Sequence, residues 1–175
     1  MKKTILAGLI TVAAISPLLA NAADGTITFK GEVTANTCTV KINDGAATNT
    51  VTLPTVTTSQ LAAAGNTAAP TEVRIGLSSC STAVSSARAF FESGPNVTAA
   101  THNLKNNGTA TNVEVQLLTP ANSVIKIGDT SQRSGDSVAV TDGAATMKYS
   151  AQYYATGTSG AGTVDTSVTY SIDYL

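Results

Sequence analysis

The stretch that decides the fold is Val164-Asp-Thr-Ser-Val-Thr-Tyr-Ser-Ile-Asp-Tyr174. Its even positions are apolar or aromatic apart from one Thr, and its odd positions are Asp, Ser or Thr. Alternation with a period of two is the side-chain pattern of a β-strand that buries one face. The pattern predicts a single strand over Val164–Tyr174, with its even-numbered face against a core.

The N-terminal region repeats this alternation. One parity holds Ala23, Gly25, Ile27, Phe29, Gly31 and Val33, and the other holds Asp24, Thr26, Thr28, Lys30 and Glu32. Two interpretations are open: the terminal strands close one sandwich, or they are edge strands that pair with another chain. The second interpretation starts from the properties of exposed strand edges: both strands lack Pro and keep their charges on the polar parity, so neither carries the features that usually block pairing with another chain. Head-to-tail strand addition of this kind builds an open filament.

The rest of the chain indicates short strands separated by turns. A single helical turn is expected over residues 59–64, ended by Gly65. The pattern is typical of an all-β, antiparallel sandwich of immunoglobulin type, with about seven strands. The predicted strand residues are Val73, Ile75 and Leu77; Val113, Val115 and Leu117; Val124, Ile125 and Ile127; and Met147, Tyr149, Ala151 and Tyr153. The predicted turns are Asn43-Asp44-Gly45, Ser93-Gly94-Pro95, Asn106-Asn107-Gly108 and Asp142-Gly143.

Residues 1–22 are predicted to be a cleaved secretory signal peptide. Two lysines precede the uncharged stretch Thr4–Ala20, and Ala20-Asn21-Ala22 has the small-x-small pattern of a cleavage site. A transmembrane helix is disfavoured, because Ser16-Pro17 interrupts the stretch and a span needs about 20 apolar residues. Cleavage after Ala22 or Ala23 would release an exported protein without a membrane span.

Cys38 and Cys80 are the only two cysteines. An exported protein meets an oxidising compartment, which favours a disulfide between them. A redox-active pair is the alternative, but the Cys-x-x-Cys spacing is absent. We expect a structural disulfide, which the chain-entropy account values at about 4 kcal/mol.

The composition argues against several functional classes. The net charge is −1 and charged residues make up 12%, so a basic face for nucleic acid is not expected. One His and two Cys are too few for a structural zinc site. His102 lacks a nucleophile motif, and Glu92 and Glu114, the candidate pair of glycosidase carboxylates, are interpreted as surface residues. We therefore expect no catalytic residue, metal or cofactor.

With these residues in view, the chain resembles the structural subunits of chaperone–usher fimbriae, most closely the type 1-like major shaft subunits of Gram-negative bacteria. The resemblance covers essentially the whole chain. Tyr174 is the penultimate residue and Gly162 is fourteenth from the end, where the family places its Tyr and Gly. Further matching segments are Gly25–Val33, the cysteine pair, Asn112–Leu118 and Tyr149–Gly157.

The resemblance implies an immunoglobulin-like fold that lacks its last strand and is completed by a donor strand from a neighbouring subunit. It also implies that a periplasmic chaperone first fills the groove, and that exchange for the next subunit's extension occurs at an outer-membrane usher. It implies a donor extension over residues 23–31 and a pilin domain over residues 32–175. The implied donor residues are Ala23, Gly25, Ile27 and Phe29. The implied acceptor groove and chaperone-binding residues are Gly162, Val164, Val168, Tyr170, Ile172 and Tyr174.

The expected function is that of a structural subunit of a surface fimbria that supports adhesion. Two alternatives remain open. One is a minor adaptor subunit of the same pilus. The other is a monomeric, secreted carbohydrate-binding sandwich, although the absence of Trp removes the commonest sugar platform.

Overall fold

The computed structural model describes residues 38–135 and 137–175. The predicted signal peptide, the donor residues Ala23, Gly25, Ile27 and Phe29, and the start of the pilin domain lie outside the described residues. Eight strands are present in the described part of the chain: β1 (Thr39–Ile42), β2 (Thr67–Ser78), β3 (Ser86–Phe91), β4 (Leu104–Lys105), β5 (Val113–Leu118), β6 (Val138–Ala139), β7 (Ala145–Ala155) and β8 (Tyr170–Tyr174). Short 3₁₀ turns occupy Thr58–Leu61 and Thr130–Ser134.

The strands form two antiparallel sheets. The larger sheet has the order β1-β2-β7-β5-β4, and the smaller sheet has the order β6-β3-β8. One cluster of buried side chains joins them, with Ile75 and Met147 from the larger sheet and Ala89 and Phe91 from the smaller. The predicted all-β, antiparallel, immunoglobulin-like sandwich is confirmed in this arrangement.

The central strand β7 shows why alternation predicted these elements well. Met147, Tyr149, Ala151 and Tyr153 are all buried, whereas their neighbours are exposed or half-buried. β7 pairs with β2 on one side and β5 on the other, so its backbone ladder is satisfied along both edges. The β2 pairing is interrupted between Ala68 and Thr71, at Pro70, which has no N–H to contribute to a ladder.

Two of the predicted turns contain residues in the left-handed backbone conformation and are confirmed. Asn43 and Asp44 have φ of 47° and 64°, and Asp142 and Gly143 have φ of 52° and 71°. The predicted helical turn is present as the shorter 3₁₀ turn Thr58–Leu61, and Gly65 follows it with φ of 87°. The predicted strand at Val124–Ile127 is wrong, because only an isolated bridge joins Val124 to Leu118 there.

The terminal strand is shorter than the alternation predicts. Regular pairing covers Tyr170–Tyr174, whereas residues 164–169 belong to no strand, although their side chains still alternate between half-buried and exposed. The partner strand β3 ends before the turn at Ser93-Gly94-Pro95, so the segment has no neighbour with which to form a ladder. Loop residues bond it instead: Asn107 N–H donates to Asp165 O at 2.8 Å, and Asn96 Nδ2 donates to Ser167 O at 3.1 Å.

Candidate functional site

The edge of β8 is the feature of the fold that stands out as a site. Among the described residues, β8 pairs only with β3. The hydrogen bonds that flank this ladder join Thr169 O to Glu92 N–H at 2.9 Å and Leu175 N–H to Ser86 O at 2.9 Å. Antiparallel pairing uses alternate residues, so the odd-numbered residues of β8 bond to β3. The backbone groups of Tyr170, Ile172 and Tyr174 therefore point toward the other edge.

A groove lies between this edge and β1, which is the edge strand of the larger sheet. We call it the β1–β8 groove, and it has a volume of about 400 Å³. Two tyrosine hydroxyl groups cross between its walls: Tyr170 donates to Ala47 O at 2.7 Å, and Tyr174 accepts from Cys38 N–H at 3.3 Å. The groove is lined by Val40, Ala47, Thr48, Tyr170, Ile172 and Tyr174.

The groove is lined mainly by apolar and aromatic side chains and is largely open to solvent. All five residues of β8 are half-buried, and none of them reaches the burial of the β7 core residues. Burial, with a smaller contribution from neighbouring Tyr174, raises the pKa of Tyr170 above its ordinary value of 10.0. Tyr170 therefore stays neutral at physiological pH and can act as the donor to Ala47. Such a surface suits an apolar strand and offers no charged group for chemistry.

The predicted acceptor residues divide into three groups. Tyr170, Ile172 and Tyr174 line the groove together. Val164 and Val168 pack against the core cluster, outside the groove lining. Gly162 is exposed and lies against the backbone of Thr109 and Ala110, where a Cβ would clash. The need for glycine at position 162 thus comes from a close backbone approach, ahead of the strand.

Sequence reasoning missed the opposite wall of the groove. Val40 belongs to a short alternation in which Cys38, Val40 and Ile42 share one parity, and that signal was available. Ala47 and Thr48 lie in a loop without periodicity, so no sequence signal places them beside Tyr170. They reach the groove because the Asn43-Asp44-Gly45 turn reverses the chain after β1.

The predicted disulfide is confirmed. Cys38 and Cys80 are bonded, with their Cα atoms 4.1 Å apart, and the described residues contain no free cysteine. The bond ties the residue before β1 to a residue just after β2. Because β1 forms one wall of the groove and pairs only with β2 in the described structure, the disulfide fixes that wall from its free end.

The residues considered for catalysis have ordinary structural partners. His102 Nδ1 is 3.2 Å from Ile127 O, and Glu92 accepts from Ser171 Oγ at 2.6 Å. The interpretation of Glu114 as a surface residue is wrong, because it is buried on β5, where it accepts from Thr101 Oγ1 at 2.7 Å and Asn103 Nδ2 at 3.1 Å. In residues 38–135 and 137–175, no three His, Cys, Asp or Glu residues are grouped to hold a metal, and no helix is long and apolar enough to cross a membrane.

Comparison with known proteins gives matches over nearly the whole chain. The fimbrial protein family matches residues 27–175. The major fimbrial subunit SMF-1 of Stenotrophomonas maltophilia (strain K279a) is 43% identical, covering 92% of this chain and 98% of that protein. The F17 fimbrial protein of Escherichia coli is 39% identical, covering 99% and 98%. The minor fimbrial subunit HifD of Haemophilus influenzae is 34% identical, covering 93% and 80%.

Solved structures show the same fold. A subunit in the structure of a chaperone–usher pilus matches with a TM-score of 0.62 at 21% identity, covering 91% of this chain and 100% of that one. The P pilus rod subunit PapA matches with a TM-score of 0.60 at 16% identity, covering 78% and 99%. Together with the family match and the relatives above 30% identity, this confirms the resemblance read from the sequence. The chain belongs to the fimbrial protein family, the structural subunits of surface fimbriae.

Proposed function

We propose that this chain is a shaft subunit that polymerises by accepting a strand from the next subunit into its β1–β8 groove. The observation that carries the proposal is the position of β8, whose second edge faces an apolar groove instead of another strand of the described sandwich. An open strand edge beside apolar surface favours addition of an extended segment. Each subunit then has one acceptor groove and one donor, which is the condition for a linear polymer.

The donor in this proposal is the segment over residues 23–31, which lies outside the described residues. Ala23, Gly25, Ile27 and Phe29 would face the groove, and the opposite parity would face solvent. Burying Ile27 and Phe29 contributes roughly 1.5–3 kcal/mol each. The added strand also supplies hydrogen-bond partners for the outward backbone groups of Tyr170, Ile172 and Tyr174.

The partners follow from this mechanism. Before assembly, the same apolar groove would expose the subunit to aggregation, so a periplasmic chaperone that lends a strand, and an outer-membrane usher that exchanges it, are the expected partners. The subunit itself is a non-enzymatic building block without a cofactor. Relatives named as major subunits support the shaft role, while similarity to a minor subunit keeps an adaptor role as the second candidate.

The test is a deletion of residues 23–30 in the full chain, expressed in a bacterium that assembles the fimbria. We expect the truncated subunit to bind chaperone in the periplasm and to be absent from surface fibres. The assay is a gel of surface protein run with and without boiling, together with negative-stain microscopy. Fibres built from the truncated subunit would refute strand donation by this segment.

A matched pair of variants isolates the side chains from the chain length. Ile27→Thr with Phe29→Thr removes the apolar donor face, whereas Thr26→Ala with Thr28→Ala changes the same number of residues on the opposite face. Only the first pair should weaken the fibre ladder. Quantifying the subunit relative to the other fimbrial proteins separates the two roles, since a shaft subunit is the most abundant and an adaptor is present in few copies.

A further inference from the structure

The smaller sheet has a second edge, on the side of β3 that faces away from β8. Antiparallel alternation directs the backbone groups of Ala87, Ala89 and Phe91 toward this edge, because Ser86 and Glu92 bond toward the β8 side. The neighbouring strand β6 has two residues and pairs only with Ser86 and Ala87. The part of the edge at Ala89 and Phe91 therefore has no strand beside it in the described residues.

A side chain takes the place of a strand at Phe91. Phe91 N–H donates to Gln132 Oε1 at 3.0 Å, and Gln132 Nε2 donates back to Phe91 O at 3.0 Å. This reciprocal pair reproduces the exchange of N–H and C=O bonds that a paired strand residue would make. Gly128 N–H also donates to Phe91 O at 2.9 Å, whereas the Phe91 N–H has the Gln132 side chain as its acceptor.

The backbone N–H of Ala89 is bonded by a side chain from the larger sheet. It donates to the hydroxyl of Tyr149 at 3.1 Å, and the buried Tyr149 ring packs edge-on against Phe91 with ring centroids 5.2 Å apart. Arg88 Nη1 donates to Gly135 O at 3.2 Å beyond the end of the second 3₁₀ turn. Side chains and turn backbone thus bond to β3 at Arg88, Ala89 and Phe91, where β6 leaves the strand uncovered.

The turn that carries Gln132 is fixed to the sheet at several points. Asp129 Oδ1 accepts from Ser131 N–H at 2.8 Å and caps the turn. Arg133 Nε donates to Asp173 Oδ2 on β8 at 3.0 Å, and its guanidinium carbon lies 4.2 Å from the centroid of the Phe90 ring. Gln132 Nε2 also lies within hydrogen-bond distance of Lys126 O and Asp129 O. The amide is therefore positioned before any partner arrives.

We propose that Gln132 is a specificity-determining residue for assembly, which closes the second edge of the smaller sheet and restricts strand addition to the β1–β8 groove. This inference rests on the proposed function, since it concerns which edge accepts a strand. A subunit with two accepting edges would add strands at both, and its fibres would bundle or branch. A subunit with one accepting edge gives an unbranched fibre.

The test substitutes Gln132→Met in the full chain. Methionine is unbranched and similar in length, so it fills the space and removes the pairing with Phe91. The matched control is Gln152→Met on β7, where Gln152 Nε2 donates to Gln116 Oε1 at 2.8 Å on a strand that is paired along both edges. Gln132→Ala is measured in parallel, because a smaller side chain cannot clash if methionine does.

Two readouts are taken on fibres from the cell surface. Hydrogen exchange, followed by mass spectrometry on the segment that contains Phe91, should be about tenfold faster in the Gln132 variants, the factor that the loss of one hydrogen bond of about 1.4 kcal/mol represents. Negative-stain images should show several-fold more bundled or branched fibres for the Gln132 variants than for wild type and Gln152→Met. The detergent-resistant ladder should remain in all of them.

The outcomes separate this inference from the function on which it rests. Faster exchange without added bundling would overturn the inference and leave strand exchange at β8 intact. Equal bundling in Gln152→Met would also overturn it, because the effect would then be general destabilisation. If wild type itself forms no ladder, the proposed function fails. The inference is then judged on the secreted protein, and it fails if Gln132→Met self-associates no more than Gln152→Met.

Discussion

The two edges of the smaller sheet have the same backbone chemistry and opposite surroundings. At the β3 edge, the short strand β6, the Tyr149 hydroxyl and the Gln132 amide occupy the outward groups. At the β8 edge, the described side chains that cross the groove bond to loop and β1-side backbone, and the β8 backbone itself faces the groove. The two edges therefore differ in their partners: the β3 edge, which we call the closed edge, is bonded by side chains, whereas the β8 edge, which we call the open edge, has no second strand beside it in the described residues.

The largest effect is expected from a charge placed on β8, at the open edge of the smaller sheet. Tyr170→Asp removes the hydroxyl that bonds to Ala47 and puts a carboxylate in an apolar groove, which is costly to bury without a partner. We expect chaperone capture and fibre formation to be lost, as measured by periplasmic co-purification and the surface ladder. Thr169→Asp is the control, because its side chain is exposed and the change in charge is the same. Normal assembly of Tyr170→Asp would remove the β8 edge from the mechanism.

The next effect concerns the wall of the groove. Replacing Cys38 and Cys80 with Ser frees the start of β1 from the end of β2, and loss of a native disulfide in a small exported domain typically costs 2–5 kcal/mol. The measurement is the free energy of unfolding of the subunit, either after its release from the chaperone or with a donor peptide bound in the groove. The same measurement on reduced wild-type protein is the companion experiment. We expect the open edge to lose strand binding before the closed edge loses the protection of Phe91. Equal loss at both edges would mean that the disulfide stabilises the domain without a local role.

The sequence predicted a strand at the open edge but did not predict the strand β3 or its side-chain partners at the closed edge, and the reason is physical. Alternation from Val164 to Tyr174 is a local signal, and it pointed to Tyr170, Ile172 and Tyr174, which line the β1–β8 groove; their role as strand acceptors stays a prediction. β3 reads Ser-Ala-Arg-Ala-Phe-Phe, which has no β-branched residue and only weak alternation, so it was not predicted. The pairing of Gln132 with Phe91 joins residues 41 apart in sequence, and no local pattern encodes such a contact.

The same limit explains the misplaced details at the open edge. Alternation fixes which face of a chain is buried, and the structure confirms that face as far back as Val164. It does not fix whether a partner strand is present, so the regular strand is six residues shorter than predicted. Gly162 was assigned to the groove through the resemblance, and its contact with Thr109 and Ala110 became visible only in three dimensions.

A smaller effect is expected from the Tyr149 hydroxyl at the closed edge. Tyr149→Phe keeps the ring against Phe91 and leaves the Ala89 N–H without its acceptor, and an unsatisfied buried donor costs about 1–3 kcal/mol. The measurement is the free energy of unfolding, combined with hydrogen exchange at Ala89. Tyr154→Phe is the control, because it makes the same change at a half-buried tyrosine of the same strand. If both variants behave alike, the hydroxyl does not close the edge.

The smallest effect is a pH dependence that the closed edge should show more strongly than the open edge. Hydrogen bonds from the side chain and backbone of Ser131 lower the pKa of Asp129 below its ordinary value of 3.8, assisted by His102 and Lys126. A lowered pKa in the folded state means that the capping contribution is present above pH 3.8 and is lost as the pH falls through the lower folded value. Because Asp129 caps the turn that carries Gln132, acid should loosen the contact with Phe91 first.

The groove provides the internal comparison for that titration. Its lining residues carry no carboxylate, although Asp173 of β8 bonds to Arg133 of the turn, so strand binding at β8 should respond less than the Phe91 contact to the same pH change. Hydrogen exchange of Phe91, corrected for the intrinsic pH dependence of exchange, should accelerate below pH 3.8 in wild type and much less in Asp129→Asn, which keeps an acceptor that does not titrate. If wild type and Asp129→Asn respond identically to acid, the Asp129 cap does not control the contact between Gln132 and Phe91. An equal response at both edges would place the main acid-sensitive group elsewhere in the sandwich.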